Sequence, residues 1–271
     1  MVHPKSELES RGLINEQIDK IINFINLENF EDALAIGRSL LELSKNDPNV
    51  LSIMGMLTFK IGAYHDAVRY YRKVVKMRPN CALSNYNLAN SLNSVGQHDA
   101  AILRYKKAIR KKRNYADPYY ALGNVYSSVG NYKKSVIHYK EAIRMQPEFA
   151  EAHNNLGIAL TKLGRQDEAI DHYYRATRIK PDYSQAYHNL AVILNICGKN
   201  EQAINICLKS IKINPNFVDA YYSLGLIFGA LNRNEEAIQS FERGLKLVPD
   251  HIDANAGFFS TVGKEVPGWH I

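Results

Sequence analysis

Residues 150–183 read AEAHNNLGIALTKLGRQDEAIDHYYRATRIKPDY, and the fold can be predicted from their pattern. Leu156 and Leu160 in its first half, and Ala169 and Tyr173 in its second half, repeat at the spacing of one helix face. Gly164 lies between the two halves, where the left-handed backbone that ends many helices would make a Cβ costly. The stretch therefore predicts two antiparallel helices joined by a short turn.

The same pattern returns every 34 residues along most of the chain. One apolar column of this period contains Met54, Leu88, Leu122, Leu156, Leu190 and Leu224. A fixed period of this length is typical of repeat architectures, and a single hairpin cannot bury its apolar face without a neighbour. The sequence therefore predicts an all-α protein, a right-handed α-solenoid of stacked antiparallel helical hairpins.

The period also sets the predicted boundaries. The six repeat units that it predicts are 48–81, 82–115, 116–149, 150–183, 184–217 and 218–251. Outside them, we expect a leader over 1–13, a degenerate hairpin over 14–47, a capping helix over 252–263 and a tail over 264–271.

The motif A-x-H-x-N-L-G-x-x-L…L-G…E-A…Y…A…P in residues 150–183 resembles the tetratricopeptide repeat (TPR), and the six units cover 204 of the 271 residues. The units with N-L-G or N-L-A followed by P-x-F/Y are most similar to the arrays of O-linked N-acetylglucosamine transferases and SPINDLY-like proteins. The resemblance implies that the first helix of each hairpin lines a concave groove, and that a protein or peptide ligand binds there.

Asparagine and tyrosine recur on the predicted groove face. The candidate groove residues are Asn87, Asn90, Asn124, Asn155, Asn189, Tyr86, Tyr120 and Tyr222. Asparagine is a poor residue for a helix interior, and its amide can both donate to and accept from an extended peptide backbone. The alternative is that these asparagines came with the repeat and that some of them bond to a neighbouring helix.

Positive charge is concentrated in one part of the chain. The formal net charge is +7, and residues 60–147 contain 17 Lys/Arg against 4 Asp/Glu. The basic stripe is the densest run and consists of Lys106, Lys107, Arg110, Lys111, Lys112 and Arg113. Such a stripe suits an anionic surface, an acidic protein or nucleic acid, or it is simply a solvated helix face. No RNA-recognition signature accompanies it, which disfavours nucleic acid.

Several classes of function are disfavoured. The sequence lacks a glycine-rich phosphate loop, G-x-S-x-G and H-E-x-x-H, so we predict no catalysis, no cofactor and no metal site. It contains no apolar run long enough for a membrane span. The polar N-terminus and the three cysteines favour the cytoplasm.

The sequence thus predicts a non-catalytic cytoplasmic scaffold that holds an extended peptide or partner protein in its groove. The main alternative is the substrate-recognition region of a larger glycosyl or methyl transferase. In its favour, the W-H-I ending at Trp269 resembles the lead-in to the catalytic domain of TPR-fused protein arginine methyltransferases. The end cap at Phe258 and Phe259 is a candidate contact for a homo-oligomer.

Overall fold

The computed structural model describes the backbone of residues 4–249, 256–258 and 260–261, with side chains from residue 12 onward. In these residues the regular structure is entirely helical. The helices are α1 (Pro4–Asn26), α2 (Phe30–Leu43), α3 (Pro48–Lys60), α4 (Tyr64–Met77), α5 (Ala82–Ser94), α6 (His98–Lys111), α7 (Ala116–Ser128), α8 (Tyr132–Met145), α9 (Ala150–Lys162), α10 (Gln166–Ile179), α11 (Ser184–Ile196), α12 (Asn200–Ile213), α13 (Val218–Ala230) and α14 (Asn234–Leu247).

Each predicted 34-residue unit contains one 13-residue helix followed by one 14-residue helix, as α9 and α10 illustrate. Gly164, in the turn between these two helices, has a φ of 76°. Asn232 occupies the same place in the last unit with a φ of 57°, because asparagine tolerates the left-handed region better than other residues with a Cβ. The turn chemistry expected from the sequence is therefore confirmed.

The core of each hairpin comes from the 34-residue columns. All six members of the leucine column are buried, namely Met54, Leu88, Leu122, Leu156, Leu190 and Leu224. Gly157 lies against the ring of Tyr173, and a Cβ at Gly157 would come within 2.7 Å of that ring. The two helices of this hairpin approach closely because the position facing the aromatic ring has no side chain.

The chain divides into two compact units, residues 1–125 and residues 126–271. In the second unit α9, α11 and α13 are the first helices of successive hairpins, and α9 and α13 each come within 8 Å of α11, Cα to Cα. The second helices, α10, α12 and α14, make no such contact with one another among the described residues. The first helices therefore lie on the inner, concave side of this unit, and the all-α fold of stacked hairpins is confirmed.

The first unit is built in the same way from α1 onward. Helix α1 begins at Pro4 and runs through the predicted boundary at residue 13. It packs on α2 and α3 through an apolar cluster that includes Ile21, Leu40 and Leu57. The N-terminal hairpin therefore has a buried interface of its own with the first regular repeat.

At the C-terminus, residues 256–258 and 260–261 are helical within the predicted cap 252–263, and Phe258 is half-buried. Phe259 and the tail with Trp269 lie outside the described residues. No helix in the described part of the chain combines the length and the apolar character that a membrane crossing requires.

Candidate functional site

A chain of four amide side chains links two inner helices of the second unit. The Nδ2 of Asn189, on α11, donates to Oδ1 of Asn154, on α9, over 2.9 Å. Gln185 donates to Oδ1 of Asn189 over 3.3 Å, and Asn154 donates to Oδ1 of Asn155 over 3.1 Å. The structure thus brings the predicted residues Asn155 and Asn189 together, through Asn154.

The next pair of inner helices has an equivalent bond. His188 on α11 and Ser223 on α13 share a hydrogen bond of 2.9 Å between Nε2 and Oγ. These residues are 35 positions apart, as are Asn154 and Asn189, so the same two columns meet at both junctions. Burial lowers the pKa of His188, although the Asp219 carboxylate opposes the shift. The pair is therefore a neutral polar contact between repeats at neutral pH.

An apolar row lies beside this polar row on the inner helices. Ile158 and Val192 are half-buried, and Leu226 leaves 44% of its surface exposed. All three follow the buried leucine of their helix by two positions. The inner wall of the second unit therefore offers hydrogen-bonding groups and exposed apolar surface side by side.

The candidate asparagines on α5 are bonded to buried tyrosines of the two neighbouring second helices, α4 and α6. The Tyr105 hydroxyl donates to Oδ1 of Asn90 over 2.6 Å, and the Tyr86 ring lies 6.0 Å from the Tyr105 ring. Burial raises the pKa of Tyr71, and a hydrogen bond with the Asn87 side chain partly offsets the rise. Asn87 and Asn90 therefore satisfy buried tyrosine hydroxyls, which costs less than leaving those hydroxyls unpaired.

The remaining groove candidates are only partly accessible. Tyr120 and Asn124 are half-buried on α7. Tyr222 is half-buried on α13, with its ring 6.0 Å from the Phe241 ring at a tilt of 44°. Tyr222 therefore packs on its own hairpin while part of its surface stays on the inner side.

Sequence reasoning missed the residue that connects the amides. Asn154 is 2% exposed, so it is a buried link rather than a surface contact. Each 34-residue column aligns equivalent positions of successive repeats, whereas the bond joins positions 35 apart and therefore two different columns. Looking for polar pairs at that offset would have found both this bond and the one between His188 and Ser223.

The basic stripe is exposed at the end of an outer helix. Lys106, Arg110 and Lys111 are exposed on α6, and Lys107 is half-buried. Lys112 and Arg113 follow the helix and are also exposed, with Nζ of Lys112 5.2 Å from the centre of the Tyr115 ring. Among the described residues, no carboxylate forms an ion pair with any of the six.

A histidine pair joins the two helices of the central hairpin. Nδ1 of His153, on α9, lies 2.9 Å from Nδ1 of His172, on α10, and Nε2 of His153 lies 3.1 Å from the carbonyl oxygen of Pro147. His153 is 1% exposed. In the part of the chain that the structure describes, no group of three or more His, Cys, Asp or Glu could hold a metal ion. The pair is therefore a hydrogen-bonded contact between helices.

Stacked helical hairpins of constant length, with a polar and apolar inner wall, define a helical repeat protein. Sequence models described as "Tetratricopeptide repeat" and "TPR repeat" match residues 49–81, 89–130, 120–184, 172–205, 191–232 and 218–251. The chain therefore belongs to the tetratricopeptide repeat proteins. These matches support the repeat itself and not the narrower likeness to O-linked N-acetylglucosamine transferase or SPINDLY-like arrays.

Solved structures show the same fold. YrrB, "a TPR protein with an unusual peptide-binding site", is 24% identical, with a TM-score of 0.60 over 72% of this chain and 98% of that chain. MamA is 28% identical, with a TM-score of 0.56 over 59% of this chain and 94% of that chain. A TPR protein fragment from Cytophaga hutchinsonii is 16% identical, with a TM-score of 0.68 over 89% and 98%. No curated protein matches the sequence significantly.

Proposed function

We propose that this chain is a protein-interaction scaffold, and that the inner wall of residues 126–271 binds an extended segment of a partner protein. The tetratricopeptide repeat family and a fold shared with YrrB, whose title describes a peptide-binding site, support the general role. The amide chain beside the exposed apolar row supports the location of the site.

Asn189 carries the proposal. Its amide spends one N–H on Asn154 and accepts one hydrogen bond from Gln185. An amide side chain has a second N–H and a second oxygen lone pair. Within the described residues, no other group of the chain forms a hydrogen bond with this N–H or this lone pair of Asn189. A half-buried amide held in place on both sides can pair with a peptide N–H and C=O without losing much side-chain entropy.

The apolar row indicates which side chains the partner segment would have. An extended chain places alternate side chains on opposite sides, so a segment bonded to Asn189 would turn every second side chain toward the inner wall. Leu226 and its neighbours in the row would take apolar side chains. We therefore expect the partner segment to be extended, with apolar residues at alternate positions.

Leu226→Arg tests the site, with Leu208→Arg as the matched control. Leu208 is 46% exposed on the outer helix α12, so both substitutions place a charge at an equally exposed leucine. Peptides selected from a random display library on the natural chain should bind the Leu208→Arg variant with unchanged affinity. We expect the Leu226→Arg variant to bind them about ten-fold more weakly or worse, because a charge would be buried under the ligand. Equal binding to both variants would refute the site.

Two predictions from the sequence remain separate proposals. The transferase alternative needs a catalytic part in addition to this chain, and the DNA sequence that follows the codon for Ile271 decides it. The basic stripe offers unpaired positive charge on the outer side of the first unit, which supports an anionic partner there.

A further inference from the structure

A second surface of residues 126–271 has the features of a small binding site, and it lies on the outer side. Helices α10 and α12 do not contact each other there, because both pack against the inner helix α11. The gap holds a pocket of about 310 Å³. Arg175 and Arg178 of α10 form one wall, Lys209 of α12 forms the other, and Tyr187 of α11 lies between them.

The pocket concentrates positive charge without a counter-charge. None of its lining residues is acidic. In the described part of the chain, no carboxylate forms an ion pair with Arg175, Arg178 or Lys209. Other cations of this unit do have partners, for example Arg165 with Glu168 at 2.6 Å. Three like charges around one pocket repel one another, and an anion bound between them would offset that repulsion.

The repeat pattern explains how the pocket lost its counter-charge. In the preceding repeat, Glu141 accepts two hydrogen bonds from Arg144, of 2.9 and 3.1 Å. Arg175 and Arg178 stand 34 residues after Glu141 and Arg144. The carboxylate of the helical ion pair is thus replaced by a second guanidinium, and Arg178 is left to face the pocket.

We propose that this pocket binds a phosphate monoester. Guanidinium groups match the geometry of phosphate oxygens, and the hydroxyls of Tyr174 and Tyr187 can donate at the pocket wall. A phosphate monoester carries about −1.5 to −2 charges at pH 7, so it gains more from three cations than a carboxylate or a sulfate ester does. The tyrosine rings and Ile206 suit an aromatic or apolar group on the ester oxygen.

Isothermal titration calorimetry of the full chain with four probes tests the proposal. Phenyl phosphate represents a free small ester, and a short phosphotyrosine peptide represents a modified protein. Phenyl sulfate and the unphosphorylated peptide are their controls. Saturable binding of phenyl phosphate alone would assign the site to small esters, and tighter binding of the phosphopeptide would assign it to a protein ligand. If neither phosphate probe saturates, or if phenyl sulfate binds as tightly as phenyl phosphate, the proposal is wrong.

Arg175→Glu is the decisive variant because it restores the ion pair of the preceding repeat. We expect it to weaken phosphate binding about ten-fold or more, since Arg178 would then bond within its own helix. Arg243→Glu makes the same change in the same column two repeats later, outside the pocket, and should bind like the natural chain. Lys209→Gln, on the opposite wall, should also weaken binding and gives a second test should Arg175→Glu fold poorly. Undiminished binding by both pocket variants would overturn the site.

Phosphate binding at the outer pocket can be tested independently of peptide binding at the inner wall. Leu226→Arg should leave phosphate binding unchanged, and Arg175→Glu should leave the binding of selected peptides unchanged. A failure of one site therefore does not resemble a failure of the other.

Discussion

Residues at equivalent positions of different repeats make the same hydrogen bond here with different side chains. In the repeat of residues 82–115, Asn85 donates from Nδ2 to the carbonyl oxygen of Pro79 over 3.1 Å. His153 stands two repeats later in the same column and uses Nε2 to reach the carbonyl oxygen of Pro147. Since that bond places the proton of neutral His153 on Nε2, its Nδ1 is an acceptor, and the neutral His172 must donate.

This arrangement predicts a loss of stability in mild acid. Burial lowers the pKa of His153 and lowers the pKa of His172 to about 4, and the nearby Arg175 adds to both shifts. Lys140 lowers the pKa of His172 further, whereas Asp171 opposes the shift. Because the unfolded chain binds protons near pH 6.5, stability is full above that pH and falls as the pH drops toward 4.

Thermal unfolding between pH 7.5 and pH 5 measures this effect. After allowance for solvent screening, we expect a loss of about 1 kcal/mol from the histidine pair. His153→Asn restores the donor found at Asn85 and removes one titrating group, so it should reduce the loss. The exposed His65→Asn variant is the control and should keep the full pH dependence. An unchanged dependence in His153→Asn would show that the pair does not titrate as described.

At the scale of helices, most of the fold could be predicted from the sequence. Gly164 and Asn232 mark the turns, and the leucine column marks the core, because each depends only on neighbours within one hairpin. The contact between Asn154 and Asn189 could not be predicted, because it depends on how α9 and α11 cross. The contact between His153 and His172 could not be predicted for a similar reason, because their rings meet between two helices and not along one helix face.

The contact between inner helices should appear as a coupling energy. Asn189→Ala leaves the buried oxygen of Asn154 without its donor, which costs about 1–3 kcal/mol. Asn154→Ala removes that oxygen, so adding Asn189→Ala to it should cost little more. Urea unfolding of the two single variants and the double variant should therefore give a coupling of about 1 kcal/mol.

The same two columns provide the control for this cycle. Ser52 and Asn87 occupy the corresponding positions three junctions earlier in the repeat pattern, but Ser52 donates to the carbonyl oxygen of Pro48. Alanine substitutions at these two sites should therefore be additive. A coupling as large as that of Asn154 and Asn189 would mean that the cycle measures general packing and not the hydrogen bond.

Over the whole molecule, one column of the repeat decides where positive charge is left unpaired. It contains Lys73, Lys107, Glu141, Arg175, Lys209 and Arg243. Glu141 is its one acidic member, and there the arginine three residues later is held in an ion pair. Lys107 precedes Arg110 by the same interval. The basic stripe on α6 therefore has two cations at the positions where α8 has the ion pair of Glu141 and Arg144.

The charge of the stripe should therefore limit stability at low salt. Lys107→Glu would pair with Arg110, and we expect it to stabilise the chain by about 0.3–0.5 kcal/mol in dilute buffer. The opposite change, Glu141→Lys, should destabilise it by a similar amount because it breaks the ion pair with Arg144. Both effects should shrink at about 1 M salt, where charges are screened within a few ångströms. Melting curves at both salt concentrations measure this, and a gain from Lys107→Glu that persists at high salt would point to helix propensity and not to charge.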